Sequence, residues 1–484
     1  MRRFYVFVGM LFVVALIVSA CAPAAPTEPA EPPTPEIVVV TATPDSSEPA
    51  GVTTPETVVV TATPGPTEPV TLRFATLAGP EFTEGYGPII ERWNAEHPEI
   101  QVEYETYPWG DYWVKIPAMV AAGNPPDVLW TSMGEMDATW VARGVFVPLD
   151  SYIDGPNGLD HSDWDSQVWE FGVFDDEVYL INTIANVPAL AYNKDVFDEA
   201  GLAYPDETWT WEDVLTAARE LTTDSSGLHP DDMGFDANDV DVWGIQTRFW
   251  PVNWFPVLWS FGGRIYNEEK TQVMYTDPHD VEALGWWGDL VQVHHVAPPY
   301  EFFGDAGWDT AFGNGLVAMH LLDSNQIANL TTQFPDLNFG TTLMPTKDPG
   351  GDRFVYVFGR PFGISNLSQH KDEAWEFLRY LCLSETQAEY AKGGRGLPAS
   401  RSALDAFLAE LDPETRTLYT PYVESLSYIY CDYQAPDFWT VVAMPLMEAI
   451  QGATTIVPGE EPDYEKLMTV AAEKANNVLN SPIR

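Results

Sequence analysis

Apolar positions in this chain fall into short blocks of two different periods. Thr71-Leu-Arg-Phe-Ala-Thr-Leu77 reads as a strand, Tyr86, Ile89, Ile90 and Trp93 recur at helical spacing, and Ile100-Gln-Val-Glu-Tyr104 alternates as a second strand. A helix, a Pro-rich turn and an apolar run follow in Ile116 to Trp130. Strands alternating with helices in this way predict βαβ units around mostly parallel sheets. Further on, Thr210 stands before Val214, Leu215, Ala218 and Leu221, with Asp213 three residues on, the arrangement of a capped helix N-terminus. Leu316 to Leu322 predicts a buried strand, and Lys371 to Lys392 one long helix. The fold class read from these periods is α/β.

Two N-terminal segments depart from that pattern. Arg2 and Arg3 precede an apolar stretch from Phe4 to Val18, short for a membrane span, which reads as an export signal. The stretch ends in Val18-Ser19-Ala20-Cys21, which resembles the bacterial lipobox. That resemblance implies cleavage before Cys21, lipidation of Cys21, and an extracytoplasmic protein held to the cell membrane by its lipid alone. Residues 1–21 are thus expected to be signal peptide and lipidated Cys. Residues 22–69 are rich in Pro and Thr, and Pro35-Glu-Ile-Val-Val-Val-Thr-Ala-Thr-Pro44 returns almost unchanged at Pro55 to Pro64. Prolines at that density forbid a helix and predict a disordered tether, reaching about 150 Å at roughly 3.1 Å per residue.

Charge and motifs narrow the function by exclusion. With 23 basic and 72 acidic residues the formal charge is −49, which repels nucleic acid and anionic headgroups. Hydrophobic residues at 45% and aromatics at 13% are enough for large packed cores. Gly363-Ile-Ser-Asn-Leu367 fails as a nucleophile elbow at its last position, and no Walker loop or His-Glu-x-x-His occurs. His294 and His295 are adjacent, so their side chains diverge, and the acidic stretch Asp231 to Asp241 lacks the glycine and terminal glutamate of a calcium loop. No catalytic residue, metal or cofactor is expected. A secreted glycosidase with paired carboxylates and a surface adhesin remain alternatives. An oxidising compartment would permit a Cys382–Cys431 disulfide, while Cys382 also shares an apolar helical stripe with Ala374, Leu378 and Leu381.

From Val70 onward a series of short pieces occurs in one order. They are Ala121-Ala-Gly-Asn-Pro-Pro-Asp-Val-Leu-Trp130, Gly144-Val-Phe-Val-Pro-Leu-Asp150, Ala191-Tyr-Asn-Lys-Asp195, Ala200-Gly-Leu202, Thr208-Trp209, Gly262-Gly263, Gly315-Leu-Val-Ala-Met319 and Ala374-Trp-Glu-Phe-Leu378. In that order the chain resembles the family 1 extracellular solute-binding proteins, the maltose-binding-protein type. The resemblance implies two α/β lobes with a hinge and an inter-lobe cleft, the first of residues 70–180 plus 360–398 and the second of 184–355 plus 400–484. It implies a monomer that captures a small solute by lobe closure and delivers it to the permease of an ABC importer.

The same resemblance places ligand contacts. Trp130 and Trp439, in Asp437-Phe-Trp-Thr440, match cleft tryptophans of the family, and Trp254 lies near a third. Flat aromatics suit the C–H faces of a sugar, and Asp, Glu, Asn or Arg suit its hydroxyls. Glu81 and Glu135 are candidate hydroxyl acceptors; Asp323 and Asn325 stand where the family has a stacking Trp, and Asn186 where it has a hinge-side Glu. Arg360 and Arg395, on glycine-rich turns at the expected crossings, would serve an anionic polyol such as glycerol 3-phosphate, the alternative ligand.

Overall fold

A computed structural model describes residues 69–132, 136–300, 302, 307–432, 437–457 and 460–480. The signal, Cys21 and nearly all of the expected tether, as well as Glu135, lie outside the described residues. In chain order the strands are β1 (Val70–Leu77), β2 (Ile100–Tyr107), β3 (Val128–Trp130), β4 (Ile181–Asn186), β5 (Pro188–Asn193), β6 (Thr223–Asp224), β7 (Val240–Ile245), β8 (Val317–Asp323), β9 (Phe339–Thr342), β10 (Phe358–Ile364) and β11 (Leu397–Pro398), beside a small hairpin at 173–178. They form two sheets, β11-β4-β10-β3-β1-β2 and β9-β5-β8-β7-β6, one for each lobe.

The sheets are mixed, which corrects the expectation of mostly parallel ones. Among the described residues only β1 with β2, β1 with β3, and β7 with β8 run parallel. The antiparallel members include β4, from which the chain leaves the first sheet, β5, which it enters next in the second, and β10, on which it returns to the first. Parallel neighbours need a crossover connection between them, whereas a strand arriving from the other lobe is free of that requirement, and β5 and β10 enter antiparallel.

Helices cover the sheets as their periodicity directs. In α1 (Pro80–Glu96), Tyr86, Ile89, Ile90 and Trp93 are buried, and Pro80 opens the helix where no amide partner is needed. Trp109–Ala121 forms α2, and α3 (Trp211–Leu221) starts on the expected capping box. There the Asp213 amide donates to Thr210 Oγ1 at 3.2 Å and the Thr210 amide to Asp213 Oδ2 at 2.8 Å. The second lobe carries α4 (Pro251–Ser260). The long helix expected over 371–392 is two, α5 (Lys371–Leu381) and α6 (Ser384–Ala391). Leu383 is extended between them, and buried Gln387 donates to the Cys382 carbonyl at 2.8 Å while accepting from the Ala399 and Ser400 amides. Cys382 is buried and Cys431 half-buried, and no disulfide joins the two.

The chain passes between the lobes three times. Val187 joins β4 to β5, and residues 355–357 lead into β10. Leu411 and Asp412 separate α7 (Arg401–Glu410), packed on α6, from α8 (Pro413–Ser425), packed on β9 and β5. Val187 is held by Ser324 at the end of β8. The Ser324 amide donates to the Val187 carbonyl at 3.0 Å, the Val187 amide to Ser324 Oγ at 3.4 Å, and Ser324 Oγ to Asn186 Oδ1 at 3.2 Å. Gly396, at φ +123°, packs against this point, where a Cβ would stand 2.2 Å from Asn186 Oδ1.

Candidate functional site

The strands β1, β2 and β3 of the first sheet and β7 and β8 of the second end at a common cleft of about 470 Å³. Loops at the carboxyl ends of such strands are where α/β sheets place their ligands. Glu81 and Phe82 follow β1, Trp109 follows β2, and Trp130 with Ser132 ends β3. From the second lobe, Arg248 and Trp250 follow β7, Asp323, Asn325 and Gln326 end β8, and Trp439 stands at the start of a π-helical turn, 439–443. Arg360, in β10, completes the wall.

Aromatic rings form a chain across this cleft. Phe82 meets Trp130 edge-on at 5.5 Å, and Trp130 lies 6.5 Å from Trp109. Trp109 reaches Trp439 of the other lobe at 6.2 Å and 79°, and Trp439 meets Trp250 at 6.2 Å and 85°. Trp130 and Trp439 have indole N–H groups that find no acceptor among the described residues. Trp109, 46% exposed, stands at the mouth. The result is a continuous apolar surface to which both lobes contribute.

Polar groups sit between the rings. Arg248 Nη1 and Asp323 Oδ2 are 3.9 Å apart, too far for a direct hydrogen bond, and both groups are nearly buried. Arg248 Nε, Asp323 Oδ1 and Asn325 Oδ1 likewise lack partners among the described residues. Buried polar atoms left in this condition are costly unless another molecule satisfies them. Burial, with Asp309 adding to it against Arg248, pushes the Asp323 carboxyl up to about 7. Behind it, Gln326 Oε1 accepts the Asp323 amide at 3.1 Å, Gln326 Nε2 donates to Asp309, and Asp309 Oδ1 lies 3.0 Å from His320 Nε2. Burial holds His320 below its ordinary pKa. Burial also works to raise Asp309, but the hydrogen bond and charge of His320 outweigh it and hold that carboxyl low.

Of the residues expected at the site, Trp130, Trp439, Glu81, Asp323, Asn325 and Arg360 line the cleft. Trp254 does not: it is fully buried on the core face of α4, and Trp250, just before the helix-opening Pro251, faces the cleft instead. Asn186 is buried in the hinge clasp described above, not in the cleft wall. Arg395 turns away, with Nη2 3.7 Å from Glu84 and its guanidinium over the Tyr390 ring, because the Gly393–Gly396 turn packs its backbone toward the hinge. Trp109, Trp250, Arg248 and Gln326 are cleft residues that the pattern of the chain does not single out. Their shared signal is position, each standing within a few residues of a strand's end. The acidic stretch at 231–241 folds back on itself, Asp232 and Asp236 accepting nearby backbone amides, and no metal-ligating cluster occurs among the described residues.

Residues 79–388 match the model of a family described as bacterial extracellular solute-binding protein. A lipoprotein of Streptomyces antibioticus, itself uncharacterised, is 26% identical over 344 residues, spanning 69% of this chain and 72% of that one. The sn-glycerol-3-phosphate-binding periplasmic protein UgpB of Escherichia coli K12 is 25% identical over 332 residues, 66% of this chain and 71% of the other. Among solved structures, the ABC substrate-binding protein from Listeria monocytogenes in complex with cycloalternan superposes with a TM-score of 0.70 at 22% identity. It covers 86% of this chain and 100% of its own.

Proposed function

Because the chain belongs to the family of bacterial extracellular solute-binding proteins, we propose that it captures a sugar in its cleft by lobe closure and delivers it to the permease of an ABC importer. The observation that carries the sugar is the ring chain: Trp109 and Trp130 from one lobe face Trp250 and Trp439 from the other, with Asp323, Asn325 and Arg248 between them. Sugars pair apolar C–H faces with polar edges, and this cleft offers both surfaces at once. The Listeria protein of the same fold is solved in complex with cycloalternan. Ligand contacts made to both lobes favour the closed form, and moving closure from 1:99 to 99:1 takes about 5.5 kcal/mol.

An anionic polyol is the second reading, favoured by Arg248 and Arg360 in the cleft and by the name of the E. coli relative. Four tryptophans offer more ring surface than a three-carbon ligand can cover. The family is one of binding proteins, so the carboxylates are read as acceptors for hydroxyls and not as a glycosidase pair. Cys21, in its lipobox-like setting, is the proposed anchor of a monomeric protein, and a relative named as a lipoprotein supports that placement. Calorimetric titration of the full chain with mono- and disaccharides tests the sugar reading: one saccharide binding at one equivalent without turnover is expected. Heat only from glycerol 3-phosphate, or release of reducing ends, would refute it.

A further inference from the structure

Arg360 is the one cleft arginine without a carboxylate in ion-pair contact among the described residues. Arg248 faces Asp323 at 3.9 Å, and outside the cleft Arg395 faces Glu84 at 3.7 Å. Arg360 is only 6% exposed, yet no such partner stands beside it among the described residues. Its guanidinium carbon lies 4.3 Å from the centre of the Phe82 ring, Nε is 3.4 Å from Tyr390 Oη, and Nη1 is 3.4 Å from the Gly359 carbonyl. Glu81, in the first turn of α1, is near enough to favour its charge but stands outside ion-pair distance.

Carboxylates are not scarce in a chain with 72 acidic residues against 23 basic. A buried cation is costly unless it is paired, and a ring face recovers only part of that cost. Tyr390, Tyr86 and Glu81 favour its charge against that burial, and an anionic group on the molecule that fills the cleft would supply the direct ion pair that Arg360 lacks.

Resting on the reading of the cleft as a sugar site, we propose that the sugar carries one anionic group, a carboxylate or a phosphate, and that Arg360 receives it. The tryptophans hold the ring, and Arg248, balanced by Asp323 and Asp309, serves neutral hydroxyls. Guanidinium suits this role because its planar fork binds carboxylate and phosphate oxygens through two parallel hydrogen bonds. The formal charge of −49 works against a distant anion, but at physiological salt that field is screened beyond about 8 Å, so the choice is made inside the cleft.

The test is calorimetric titration of the full chain with matched sugars: glucose, glucuronate and glucose 6-phosphate, the corresponding galactose set, and inorganic phosphate and glycerol 3-phosphate as ringless anions. One acidic sugar is expected to bind at least about tenfold more tightly than its neutral counterpart and than either ringless anion. Arg360→Gln should remove that difference while Arg360→Lys retains part of it. The comparison on the unaltered protein decides the matter even if a variant fails to fold. A neutral sugar binding as tightly as its acid overturns this inference and leaves the sugar site standing. Binding of the ringless anions alone overturns the sugar site itself.

Discussion

Arg143 and Asp437, 294 residues apart, meet across the cleft mouth, with Arg143 Nη2 3.0 Å from Asp437 Oδ1. Arg143 follows the short helix Asp137–Ala142 of the first lobe, and Asp437 precedes the turn that carries Trp439 in the second. The Asp437 amide also donates to Thr139 Oγ1 at 2.7 Å. Asp437 holds φ at +61°, a conformation that Asp tolerates better than most side chains. These contacts tie one lobe to the other.

Removing the pair should therefore loosen closure without harming either lobe. Both side chains are partly exposed, which places the pair at about 0.2–1 kcal/mol. Arg143→Ala is expected to weaken ligand affinity up to roughly fivefold with the melting temperature of the ligand-free protein unchanged. An unchanged affinity would show that the pair has no part in closure.

Trp250 and Trp254 should separate binding from stability. Trp250→Ala removes one cleft face and is expected to cost about tenfold in affinity with little loss of stability. Trp254→Ala empties a fully buried site and should cost about 3–5 kcal/mol in unfolding free energy. Titration and denaturant unfolding of the two variants check both halves, and the reverse pattern would contradict the placement of α4.

That pair also shows what can be read from the chain. Strand and helix periods place β1, α1, β2 and the capping box, because each depends on residues within one element. Which ring of Arg248-Phe-Trp-Pro-Val-Asn-Trp-Phe255 faces the cleft depends instead on where α4 begins. Pro251 opens α4, which leaves Trp250 ahead of the helix and Trp254 on its buried face. The break between α5 and α6 is hidden for a similar reason. One apolar stripe runs through both helices, and the capping by Gln387 comes from packing against residues 399 and 400. Contacts such as Arg143 with Asp437 join distant parts of the chain and leave no local pattern.

Two buried carboxyls give the protein a pH dependence of definite sign. Burial pushes Asp280 up to about 8 and Asp323 up to about 7, both above the ordinary value of 3.8 that applies in the unfolded chain. Raised carboxyl pKa values contribute stability that is fully present below about pH 4 and lost as pH rises through about 7 and then about 8. The ligand-free protein is therefore expected to melt at progressively lower temperature between about pH 5 and 8, and Asp280→Asn should flatten that slope. A melting temperature that climbs over this range in the parent and is unaffected by Asp280→Asn would contradict the assignment.

The two thiols should behave independently. Cys382 is buried, which pushes its pKa well above the ordinary thiol range, while Cys431 is half-buried. Alkylation of the folded protein should mark Cys431 first and Cys382 only on unfolding, and reductant should leave the melting temperature unchanged. A drop in melting temperature with reductant would reveal a disulfide.

Capture of a sugar by lobe closure, on which the rest depends, is measured most directly by small-angle X-ray scattering during titration. The radius of gyration is expected to fall as the saccharide identified by calorimetry is added, and to level off at one equivalent. A saccharide that binds at one equivalent while the radius of gyration stays constant would contradict capture by closure.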